Sequence, residues 1–157
     1  MMLVEKFRRQ GYPASFIPVL GFVGLALLAT GILLIPLLLT MQMELDLPWY
    51  PSGLLRNLVT GIHVLSGFVL VFLLGAVTIV HIRAGWLRGE KRVSGAFATS
   101  LIALLAVTAI LLLYSPLEAV AHQAAIVHTL LGIALPLVIG MHARTRIRVR
   151  ARRFRPD

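Results

Sequence analysis

The chain has no cysteine among its 157 residues. Disulfides, thiolate-held iron–sulfur clusters and thioether-attached prosthetic groups are thereby excluded. Acidic residues are also scarce, six Asp and Glu against fifteen Lys and Arg. None falls in 16–39 or 58–82, so the intramembrane carboxylates that a proton path favours are missing from these stretches. No phosphate-cradling glycine motif and no Ser-His-Asp set of a hydrolase is present.

What the chain has in quantity is apolar length. Hydrophobic residues make up 59% and charged residues 13%, and the mean hydropathy is +0.91, far above an ordinary soluble domain. A bilayer core about 30 Å thick needs about 20 apolar residues as helix. Four such runs occur, at 16–39, 58–82, 96–113 and 120–141. Lys6, Arg8 and Arg9 precede the first run as they would precede a signal sequence, but the run is too long and no small-residue cleavage site follows. The expected fold class is therefore all-α: a single transmembrane four-helix domain over 1–157, built from two helix hairpins, with a basic tail at 143–157.

Charge orients the helices. Three basic residues precede the first span, four lie between the second and third (Arg83, Arg88, Lys91, Arg92), and seven follow the fourth (Arg144, Arg146, Arg148, Arg150, Arg152, Arg153, Arg155). Only Arg56 is left for the opposite face. The positive-inside rule then puts both termini and the loop between the second and third spans of this multi-pass chain in the cytoplasm, with 40–57 and 114–118 facing outward. The net charge of +9 is explained by topology and contact with anionic lipid headgroups, so nucleic acid is not the expected partner. The alternation of arginines from 144 to 150 fits either a frayed helix end or an extended strand on the headgroups.

Four of the five histidines form two pairs along the second and fourth apolar runs. His63 and His81 are eighteen residues apart and return to one azimuth about 27 Å apart along a helix. His128 and His142, fourteen apart, differ by about 40° and rise about 21 Å. With the topology above, one histidine of each helix stands toward the outer surface and one toward the cytoplasm. Paired imidazoles from facing helices are the axial set of a low-spin b-type haem, a site that passes single electrons. Gly67 and Gly132 each follow a histidine by four residues, leaving room for a flat macrocycle. The shared His-x-x-x-Gly reads as an internal repeat. His122, six residues before His128 and about 240° around the helix, falls off this face and is the second choice as outer ligand. Arg56, Arg83 and Arg144 are candidate partners of haem propionates, and equally serve as interfacial anchors.

At these residues the chain resembles the bacterial di-haem b-type cytochromes: the small four-helix proteins of the cytochrome b561 type and the haem subunits of membrane-anchored dehydrogenases. The resemblance covers the second to fourth spans, and its most specific element is His128-x13-His142. It implies two non-covalent b haems ligated by His63, His81, His128 and His142, and electron transfer between the quinone pool and a redox partner subunit. An electron-transfer subunit is expected rather than a stand-alone oxidoreductase. Two departures stand out: the first span has no histidine, and the His63 to His81 gap is longer than usual. The alternative from another class is a non-haem membrane anchor or small transporter subunit, whose histidines only bond neighbouring helices.

Overall fold

The computed structural model describes residues 12–78, 82 and 92–153, with side chains through residue 143. Within them the chain forms four long helices: α1 (Phe16–Met43), α2 (Gly53–Val77), α3 (Arg92–Tyr114) and α4 (Glu118–Arg153). No strand occurs among the described residues. Each helix is long and apolar enough to cross a membrane, the spanning part of α4 being Glu118–Ala143. The all-α, four-helix membrane class with two hairpins expected from the sequence is what the structure shows. α1 packs on α2 and α3 packs on α4, and the chain divides into two compact units, Met1–Arg88 and Gly89–Asp157.

Hydropathy located each helix and some of its ends, α1 starting at Phe16 and α3 ending at Tyr114, one residue past the run, while other ends differ. α2 begins at Gly53, not at Leu58, because the first turns carry Arg56 and Asn57, which hydropathy rejects and backbone hydrogen bonding accepts. Gly53 itself has φ +53, a conformation that suits glycine. Regular α-geometry ends at Val77, and Thr78 and Ile82 adopt the wider π-helical geometry. α1 runs to Met43, four residues past the apolar run. It stops where Glu44 turns left-handed at φ 54, and the N–H groups of Glu44 and Leu45 both close onto the Leu39 carbonyl. Pro18 stands in the first turn of α1, where its missing N–H costs nothing. Pro36 and Pro136 lie inside α1 and α4, and both helices continue through them.

α4 is 36 residues long and rises about 54 Å, well beyond a bilayer core. Its last turns are the arginine run, so of the two forms open to 144–150 the backbone adopts the helix. Every helix exposes large apolar side chains: Phe22 on α1, Phe72 on α2, Phe97 on α3 and Leu130 on α4. In water such surface would drive aggregation, whereas in lipid it needs no cover. Among the described residues the buried polar side chains are Thr30 and Thr108, and both bear on the candidate site.

Candidate metal-ligating histidines

In the first hairpin His63 lies ten residues past the start of α2, about 15 Å along the helix. Its Nδ1 is 2.9 Å from Oγ1 of Thr30 on α1. Thr30 is buried, and its hydroxyl also reaches back to Ala26 O at 2.6 Å and Leu27 O at 3.3 Å. This back-bonding is open to a helical threonine because Oγ1 can lie over the preceding turn. Gly31 stands beside the imidazole: a Cβ there would come within 3.3 Å of His63 Cε1. The absent side chain lets the ring lie against α1.

The second hairpin repeats the arrangement. His128 lies ten residues past the start of α4, and its Nδ1 is 2.9 Å from Oγ1 of buried Thr108 on α3. The Thr108 hydroxyl bonds back to Leu104 O at 2.9 Å and Leu105 O at 3.0 Å. A second acceptor, Leu105 O, approaches His128 Nδ1 at 3.1 Å. Fourteen residues on along α4, His142 Nδ1 is 3.0 Å from Oγ of Ser94, which lies fourteen residues before Thr108 on α3. The two rungs are in antiparallel register, about 21 Å apart along the helices. Gly95 beside Ser94 repeats the Thr30-Gly31 pattern, with a Cβ there 3.8 Å from His142 Cε1.

Among the described residues the first hairpin shows no hydroxyl–imidazole contact at the corresponding level. Counting fourteen back from Thr30 and fourteen on from His63 reaches Phe16 and Val77. Tyr12 stacks there on Phe16 with ring centroids 4.4 Å apart and donates its hydroxyl hydrogen to Ala76 O at 3.3 Å. Burial pushes the Tyr12 phenol above its ordinary pKa. His81 and Arg83 lie outside the described residues, as does the side chain of Arg144, whose backbone is in α4.

The remaining candidates are placed as follows. Gly67 and Gly132 face open space, with nothing within 4 Å of where a Cβ would be, and the same holds for Gly21, Gly24, Gly61, Gly75 and Gly140. Arg56 is exposed near the start of α2, and His122 is half-buried near the start of α4. Among the described residues no group of three or more His, Cys, Asp or Glu comes together to hold a metal ion. The structure thus unites each of three histidines with a hydroxyl from its own hairpin. Thr30, Thr108 and Ser94 were not legible in advance as partners, since their apolar surroundings carry no periodic signal naming the facing helix. The available clue was that hydroxyls are few in these spans.

Comparison with known proteins returns no relative: the chain matches no family model, no curated protein and no solved structure.

Proposed function

We propose that this chain is a di-haem b-type cytochrome of a bacterial inner membrane that carries electrons between the quinone pool and a redox partner subunit. His63, His81, His128 and His142 are the proposed axial ligands, with Arg56, Arg83 and Arg144 as propionate partners and Gly67 and Gly132 as points of close approach. The reading rests on one observation above all. Two histidines, ten residues into α2 and ten residues into α4, are each steadied through Nδ1 by a buried threonine of the preceding helix. Metal-ligating imidazoles are oriented through their second nitrogen in this manner.

The donor set fits haem. Neutral imidazoles are its ordinary non-covalent ligands where thiolate is lacking. Bound there, haem supplies one-electron redox chemistry at a bis-histidine iron. The chain's own residues hold the imidazoles in place, keep their surroundings apolar, and at Gly67 and Gly132 leave the helix surface open. A second reading, the non-haem anchor or transporter subunit, is favoured by a different aspect of the same contacts: each hydroxyl–imidazole bond fastens two helices of one hairpin. Quinol added to the purified protein distinguishes them. Reduction of a b-type visible spectrum by quinol is expected of the cytochrome, and a protein with no visible bands before or after addition is the fastener.

A further inference from the structure

The hydrogen positions at His63 and His128 follow from the acceptors around them. A threonine hydroxyl has one hydrogen. At Thr30 the Ala26 carbonyl lies 2.6 Å from Oγ1, and a carbonyl oxygen can only accept. Two oxygens that close without a hydrogen between them would repel, so the Thr30 hydroxyl donates to Ala26 O. Only lone pairs then face His63, and Nδ1 must carry a hydrogen and donate it to Oγ1 over 2.9 Å. Thr108 is committed in the same way to Leu104 O and Leu105 O at 2.9 and 3.0 Å. At His128 the conclusion has a second, independent support. Nδ1 is 3.1 Å from Leu105 O, and a bond to a carbonyl requires N–H. A doubly protonated ring would place a full charge inside the span, at a cost of about 2.5 kcal/mol or more. Each imidazole is therefore neutral, with its lone pair on Nε2.

We infer that Thr30 and Thr108 are positioning residues that lock His63 and His128 as Nδ1–H tautomers, presenting Nε2 as the iron-binding atom and lowering the potential of the iron it binds. The effect on potential rests on the haem reading above; the tautomer does not. A mere fastener between helices works with the hydrogen on either nitrogen, and at both positions the threonine's own hydrogen is turned away from the ring toward its helix. The chemical consequence follows from the donor bond. A ligating imidazole that donates Nδ1–H to an oxygen is a stronger base at Nε2, and a stronger base stabilises ferric iron over ferrous. Removing the acceptor raises the potential.

The test uses the full chain labelled with ¹⁵N-histidine, reduced with dithionite so that low-spin iron is diamagnetic, alongside redox titration of wild type, Thr30→Val, Thr108→Val, Thr30→Ser and Thr108→Ser. Wild type is expected to show Nδ1–H at both His63 and His128. Each valine variant is expected to keep its haem and to shift one haem transition to higher potential, and each serine variant to return it to the wild-type value. Nε2–H at either histidine of the wild type overturns the lock, and so do unchanged potentials in valine variants that retain haem. If the valine variants fail to fold, the nitrogen spectrum of the wild type prepared without haem decides, because iron on Nε2 would by itself force Nδ1–H. A colourless wild type with Nδ1–H at both histidines defeats the haem reading and leaves the tautomer lock standing.

Discussion

At the scale of single residues, the chemistry turns on hydroxyl–imidazole pairs. Spacing along the chain displayed the histidines, because intervals of eighteen and fourteen residues are ones that return toward a single face of a helix. It did not display their partners, because which face of α1 meets α2 is decided by packing between two almost wholly apolar surfaces, and only there do Thr30 and Thr108 find the rings. His128→Ala removes both a proposed ligand and an interhelical bond of about 0.6 kcal/mol. Haem per chain is expected to fall from about two to about one by pyridine haemochrome, with a loss of helix-pair stability too small to unfold the protein. Tyr12 offers a prediction of another kind. Its pKa is raised by burial, so the unfolded chain loses the phenolic proton first, above about pH 10. Stability is expected to be independent of this group below that pH and to fall as pH rises from there toward the raised folded value. Deprotonation also removes the hydrogen given to Ala76 O. Tyr12→Phe should abolish the alkaline slope in a series of thermal melts.

At the scale of elements, the four apolar runs were legible and only some of their boundaries were, such as the start of α1 at Phe16. Hydropathy marks where a helix meets lipid, whereas the helix itself ends where backbone groups find other partners, as Glu44 and Leu45 do on Leu39 O. The arginine run at 144–150 shows the same division. Its two-residue alternation suits a strand as well as a helix, and continuity with α4 decides for the helix, since extending an existing helix adds a hydrogen bond per residue without a new nucleus. The α1–α2 pair has one closely fitted point, Gly31 against His63. A Cβ alone needs the ring to give by a few tenths of an ångström, and a leucine requires far more. Gly31→Leu is expected to break the Thr30–His63 bond and wedge the helices apart, at a cost of roughly 1–3 kcal/mol, read as an earlier melt in detergent. Gly21→Leu, at a position with open space around it, should melt like the wild type.

At the scale of the whole molecule, the sequence's repeat is partly present in three dimensions. Both hairpins carry a threonine–histidine rung ten residues into their second helix, and among the described residues the second hairpin carries another rung fourteen residues farther, Ser94 with His142. The first has Tyr12, Phe16 and Ala76 at the corresponding place. Among the described residues the hairpins thus differ in what holds their helices at that level. The proposed orientation is tested without background, because the chain has no native cysteine. In intact cells, Asp46→Cys should react with a membrane-impermeant maleimide and Arg92→Cys should react only after lysis. The most direct measurement of the proposed function is haem per chain on the purified, detergent-solubilised protein, by pyridine haemochrome together with oxidised and dithionite-reduced spectra. A di-haem cytochrome gives about two b haems per chain with sharp low-spin bands, whereas a colourless protein from haem-replete cells contradicts it.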